Sequence, residues 1–233
     1  MPKVVILGAG GHARETLAIF EELNAALPGA GAGEWDVLGF VDEDPAKHGA
    51  LVDGKAVLGD FSWFTEASGG FRAGRGEEPR VICAVGSGPG RRRLVNRAGE
   101  MGLVFCNAVS PRASVSPLAS IGMGSMIAPG AIIGPEVTVG DHVIINVGCT
   151  VSHEARLGDY CTLAPGVHIA GNTRLGDGCD LGIGTVTIQG ITVGAWSIVG
   201  AGCVLIEDVP PNVTVVGVPA RVIKSREDGW YER

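Results

Sequence analysis

His153 and Glu154 stand side by side in the stretch INVGCTVSHEARLGDY, residues 145–160. A histidine titrates near neutral pH and can take a proton from an amine or a hydroxyl, while an adjacent carboxylate can fix the ring's orientation. Such a base contributes roughly 10²–10⁴-fold to a rate. With an amide donor aimed at a developing oxyanion, the set is what acyl transfer requires. The competing reading is that both residues are solvated corner residues with no chemistry.

The elements that would position them follow from a period of six. Ile145, Val151 and Leu157 belong to a series of aliphatic residues running from Val109 to Leu205, in which only Thr187 is not aliphatic. Two residues before each stands a small or modest side chain, Cys149, Cys161, Cys179 and Cys203 among them. Two inward side chains spaced by two mark a short strand, and free cysteine packs there as a small hydrophobe. Glycines directly after the aliphatic position, such as Gly122, Gly140, Gly158 and Gly176, predict corners with positive φ, and Asn146 occupies one such corner.

This pattern resembles the hexapeptide repeat of the left-handed parallel β-helix, in which three hexapeptides make a triangular coil. The handedness comes from the resemblance. Residues eighteen apart then stack along the axis at about 4.8 Å, which sets His153 beside Gly171, whose bare backbone leaves its N–H open to a ligand. His142, His153 and His168 differ in phase, and neither gap is a multiple of eighteen. The three-histidine zinc site of a γ-class carbonic anhydrase is therefore not expected, and no metal is assigned. His168 reads as a solvated strand residue.

The first third, KVVILGAGGHARETLAIFEEL onward, reads as strand, glycine turn and amphipathic helix. Gly8, Gly10 and Ala13 fit GxGxx(G/A), which lets phosphates approach amides at a helix N-terminus. WDVLGFVD ends at Asp42, placed to hold a ribose hydroxyl or a sugar substituent, and RVICAVG leads into SGPGRRRLV, a second glycine turn opening a helix. Arg91, Arg92 and Arg93 read either as phosphate contacts or as a solvated helix face. The gap from Gly8 to Asp42 exceeds the dinucleotide fingerprint's, which counts against a dinucleotide site.

The fold class is thus an α/β Rossmann-like domain over 1–106 followed by an all-β left-handed parallel β-helix over 107–224. Residues 225–233 are taken as an exposed tail, and LPGAGAGEW and SGGFRAGRGEEP as surface loops. The net charge of −7 argues against nucleic acid as a partner. No run of residues reaches the roughly 20 apolar positions of a membrane span, and the N-terminus lacks the basic region and cleavage site of a signal peptide. Six cysteines without a CxxC pair fit reduced thiols. A cytoplasmic location is expected.

GAGGHA, GFVDED, AVGSG, INVGCTVSHEARLGD, IAGNTRLGDG and VVGVPARVI, in that order along nearly the whole chain, resemble the NeuD/PglD-type sugar acyltransferases. The resemblance implies acetyl-CoA as co-substrate, a nucleotide-linked amino sugar as acceptor and a homotrimer. It puts the general base at His153, its acid partner at Glu154 and the oxyanion amide at Gly171. Coenzyme contacts fall on Ile183 and Ala201, and on Thr162, where PglD-like members have a second histidine. Asn146 faces the acceptor, and Gly10, His12, Asp42, Glu43 and Gly86 line the sugar-nucleotide crevice. Two other readings stay open: O-acetylation of a sialic acid or another sugar hydroxyl, and a non-catalytic sugar-nucleotide or dinucleotide module that uses the β-helix to trimerise.

Overall fold

The computed structural model describes residues 2–26, 35–65 and 78–232. The glycine-rich loops expected near 27–35 and 68–79 fall almost entirely outside them. The N-terminal unit has β1 (Lys3–Leu7), α1 (Gly11–Ala25), β2 (Asp36–Val41), β3 (Leu51–Val52), β4 (Lys55–Gly59), β5 (Arg80–Cys83) and α2 (Gly88–Glu100). Its sheet runs β3-β4-β2-β1-β5, parallel except for the β3–β4 hairpin. The central strand β1 is apolar on both faces, as a parallel strand covered on both sides must be. Val4 and Ile6 face α1 through Ala13, Leu17 and Phe20, while Val5 and Leu7 face α2 through Leu94, Val95 and Ala98. Alternate side chains of one strand thereby set the two helices on opposite sides.

From Ala108 to Leu205 the chain forms two-residue strands every six residues, and up to Val186–Thr187 each pairs in parallel with the strand eighteen residues on, as in Thr150↔His168 and Thr162↔Asp180. Three sheets result, one per side of a prism. Face 1 contains Met126–Ile127, Ile144–Ile145, Thr162–Leu163 and Asp180–Leu181. Face 2 contains Ile132–Ile133, Thr150–Val151, His168–Ile169 and Val186–Thr187. Face 3 contains Thr138–Val139, Arg156–Leu157 and Arg174–Leu175. Cys149, Cys161, Cys179 and Cys203 are fully buried fillers in the core, as the repeat predicts. Thr187 is accommodated because its hydroxyl accepts the Ala170 N–H at 2.9 Å.

The corner geometry differs from expectation. Positive φ falls three residues after the inward aliphatic, at Gly124, Glu136, His142, Glu154, Tyr160 and Asn172, not one residue after it. The glycines directly after the aliphatic are there for space: a Cβ on Gly140 would stand 2.8 Å from Asp159 N, and one on Gly182 2.6 Å from Ala201 N. Asn146, at the same phase, has no left-handed conformation among the positive-φ residues and is 4% exposed, its amide donating to the Leu163 carbonyl at 2.8 Å.

Face 1 is covered by the N-terminal unit because its outward side chains Met126 and Ile144 are apolar and buried against α1. Arg91 locks the seam. It is wholly buried, with Nε donating to His142 O (2.8 Å), one terminal nitrogen to Val85 O and Gly86 O, and the other to Tyr160 O (2.6 Å), Cys161 O and the Thr162 hydroxyl (2.9 Å). Burial pushes its pKa down, opposed by the nearby Cys83 and Cys161 thiols, the Asp180 carboxylate and the Tyr160 hydroxyl. Arg92 lies over Trp196 and Tyr231, and Arg93 pairs with Glu43. The three arginines are thus neither a phosphate cluster nor one solvated face.

The tail is not a free extension. Trp230–Glu232 forms a short 3-10 turn, and Tyr231 stacks on Trp196 with centroids 4.0 Å apart. That contact ends a ladder of rings, Phe105, His142, Tyr160 and Trp196, along the corner between faces 3 and 1. Among the described residues no helix is long and apolar enough to cross a membrane.

Candidate active site

The corner between faces 2 and 3 carries His153 and Glu154. Outward phase and left-handed backbone at Glu154 (φ 58°) turn both side chains to solvent, each rather more than half exposed. His153 Nδ1 lies 3.0 Å from a Glu154 carboxylate oxygen. With Nδ1–H donating there, the Nε2 lone pair is left to accept a proton. The His153 and Asn172 contacts hold the Glu154 carboxyl below the usual carboxylate range.

One coil on, Gly171 lies directly under the imidazole: a Cβ there would stand 2.6 Å from both Cε1 and Nε2 of His153. The expected stacking of these two residues is therefore present. Among the described residues the Gly171 N–H donates no hydrogen bond, although its carbonyl accepts the Gly190 N–H. Asn172, which the sequence reading passed over, ties both catalytic candidates down. Its backbone N–H donates to His153 O at 3.0 Å and its amide to the Glu154 carboxylate at 3.3 Å. Its φ of 59° suits asparagine, which tolerates the left-handed region.

Ile183 and Ala201 stack one coil apart, joined by Gly202 N–H to Ile183 O at 2.7 Å, and Ile183 is 61% exposed. They sit at the corner between faces 1 and 2, the opposite edge of face 2 from His153 and Gly171. One chain does not bring the two pairs together. His142 is buried on the third corner and His168 is exposed on face 2, bonded to the Thr150 hydroxyl, so the three histidines occupy different parts of the prism.

Thr162 is misplaced as a coenzyme contact. It is 6% exposed, accepts from Arg91 and donates to Gly86 O at 3.3 Å, which fixes it in the seam on face 1. The reason is its outward phase on the one face that the N-terminal unit covers.

The crevice residues gather at the carboxyl ends of β1, β2 and β5. Gly10 caps α1 with open space around its Cα, and α1 has neither a side-chain cap nor an acid in its first turn. The His12 ring covers Gly86, where a Cβ would meet it at 2.7–2.8 Å. Asp42 is already engaged: its carboxylate accepts from Ala9 N–H (2.8 Å), Asp44 N–H and Lys47. Burial would raise its pKa, but these donors lower it overall. Asp42 thus shapes the glycine turn. Glu43 is paired with Arg93 and Arg97.

Residues 3–98 match the PglD N-terminal domain family. GDP-perosamine N-acetyltransferase from Caulobacter crescentus, solved with CoA and GDP-perosamine as an alanine variant of one histidine, is 34% identical, with a TM-score of 0.83 over 97% of this chain and 98% of its own. The acetyltransferase domain of PglB from Neisseria gonorrhoeae FA1090, in complex with acetyl coenzyme A, is 30% identical, with a TM-score of 0.82 over 95% of this chain and 98% of its own. WeeI from Acinetobacter baumannii AYE shares the fold, at 24% identity and a TM-score of 0.81 over 96% of this chain and 100% of its own. A comparison with curated protein sequences finds no match.

Proposed function

We propose a reaction for a chain that belongs to the NeuD/PglD-type sugar acetyltransferase family: direct transfer of the acetyl group of acetyl-CoA to the amino group of a nucleotide-linked amino sugar. The observation that carries it is the imidazole of His153, oriented by Glu154 and lying over the unpaired amide of Gly171. The neutral amine attacks the thioester carbonyl and a C–N bond forms, while His153 Nε2 takes the amine proton. The tetrahedral oxyanion receives the Gly171 N–H. Collapse breaks the C–S bond, and the departing thiolate recovers a proton from the imidazolium.

The N-terminal unit, residues 1–106, holds the sugar nucleotide. The uncapped N-terminus of α1 at Gly10 supports a diphosphate there, through free amides and the helix dipole. His12 and Gly86 flank the sugar, and Asp42 and Glu43 support the crevice from behind. Residues 107–224 carry the transfer. Asn146 supports the acceptor side through the backbone it braces.

The active assembly is a homotrimer. Face 1 is covered, and face 3 presents Thr138, Arg156 and Arg174. Face 2 exposes apolar Ile132 (51%) and Val186 (38%), which favours burial against other copies. Three copies with face 2 inward would set Ile183 and Ala201 of one copy against His153 and Gly171 of the next, with acetyl-CoA between them. Use of acetyl-CoA supports a reaction in the cytoplasm. Incubation with acetyl-CoA and a panel of GDP- and UDP-linked 4-amino sugars, read by thiol release, tests the reading. Release that depends on the amine supports it, and release only with hydroxyl-bearing acceptors lacking the amine overturns it.

A further inference from the structure

Along the outward row of face 1 the side chains are Ala108, Met126, Ile144, Thr162, Asp180 and Ile198, so a single carboxylate interrupts an otherwise apolar or hydroxyl-bearing surface. This row faces the N-terminal unit. Asp180 is only partly accessible, and among the described residues no protein group donates a hydrogen bond to its carboxylate. The guanidinium nearby is committed to six other acceptors. Burial raises the Asp180 pKa, with Arg91 and His12 acting in the opposite direction. A partly desolvated carboxylate with no protein donor is open to a donor supplied by a ligand.

Its surroundings identify the ligand part. Asp180 pairs in the sheet with Thr162, whose hydroxyl donates to Gly86 O, and the His12 ring lies across Gly86. The carboxylate therefore stands at the β-helix wall of the same crevice whose other wall is the α1 turn. A negative group there disfavours phosphate and favours a neutral donor.

We propose that Asp180 is a specificity-determining contact for the acceptor, its carboxylate receiving a hydrogen bond from a hydroxyl of the sugar ring seated between His12 and face 1. This rests on the N-acetyltransferase reading above, and it adds a residue that neither the repeat pattern nor the catalytic pair points to.

The test compares wild type, Asp180→Asn and Asp180→Ala on the panel of GDP- and UDP-linked 4-amino sugars, with thermal unfolding of each protein alone. Loss of a hydrogen bond to a charged acceptor is expected to raise the Asp180→Ala KM for the sugar nucleotide about 10- to 100-fold, with the acetyl-CoA KM held within about twofold. The midpoint of unfolding should stay level or rise, because an unpaired carboxylate has been removed. Asp180→Asn, which keeps an acceptor oxygen, should fall between the two. An unchanged sugar-nucleotide KM in Asp180→Ala overturns the assignment while leaving the reaction standing. A lowered midpoint with both KM values shifted together shows a structural role and also overturns it. Wild-type inactivity on every amino sugar removes the N-acetyltransferase reading and this contact with it.

Discussion

The imidazole of His153 covers Gly171 on the next coil so closely that a Cβ there would lie 2.6 Å from its Nε2. The base and the free amide are thus held one coil apart by backbone hydrogen bonds of the prism, with Asn172 N–H on His153 O at 3.0 Å. Gly171→Ala is expected to displace the ring and cost about 10²-fold or more in kcat, the scale of a misplaced catalytic group or a lost oxyanion donor. Its midpoint of unfolding should move little, since the ring's far end is exposed and can swing away. Parallel kinetics and calorimetry check this, and full activity in the alanine variant would break the link between the two residues.

Glu154 and Asn172 should separate by degree. Glu154→Gln removes the charge that orients the ring and is expected to lower kcat about 10- to 100-fold without raising the acetyl-CoA KM. Asn172→Gly keeps the left-handed backbone but deletes the amide that steadies Glu154, so a loss of about three- to tenfold is expected. Steady-state rates of the two variants and of the double variant decide it. Additive losses would show that Asn172 does not act through Glu154.

Acid sensitivity should trace to His142. Buried between Phe105 and Tyr160, its ring is held neutral chiefly by desolvation, with its pKa lowered to about 4. The unfolded chain binds a proton near the usual 6.5 and the folded one does not until about 4. Stability is therefore complete above 6.5 and falls as pH drops through that window, by about 3 kcal/mol at most. His142→Asn, which tolerates the same φ of 57°, should be less stable at neutral pH yet lose less between pH 6.5 and 4. Denaturant melts at stepped pH read the slope, and an unaltered slope would assign the sensitivity elsewhere.

Arg91→Met should be among the most damaging single changes outside the catalytic corner. It leaves the carbonyls of Val85, His142 and Tyr160 without that donor and takes one of two donors from Gly86 and Cys161. A loss of about 3–5 kcal/mol is expected, seen as a large fall in the unfolding midpoint. A fall no greater than that of an exposed substitution such as Arg93→Met would show that the seam is held by apolar contact alone.

How far the sequence reveals this molecule depends on the range of each contact. The prism is legible because its inward residues repeat along the chain, and the same stacking rule that joins His153 to Gly171 also joins Glu154 to Asn172. Positive φ was assigned to the wrong corner position because glycine occupies two phases for different reasons, close approach at Gly182 and left-handed backbone at Gly184. Arg91 and Thr162 were misjudged because their partners lie about seventy residues away, across a seam that no local period announces. Met126 and Ile144 carry a local sign of that seam: apolar residues at outward positions, both buried.

The central claim is that His153 is the proton acceptor, and the most direct measurement is single-turnover acetyl transfer by wild type and His153→Ala at saturating acetyl-CoA and amino-sugar nucleotide. The arrangement at the corner predicts a loss of about 10²–10⁴-fold in the transfer rate for the variant, with coenzyme affinity retained. A His153→Ala protein that transfers acetyl at close to the wild-type rate would contradict the account.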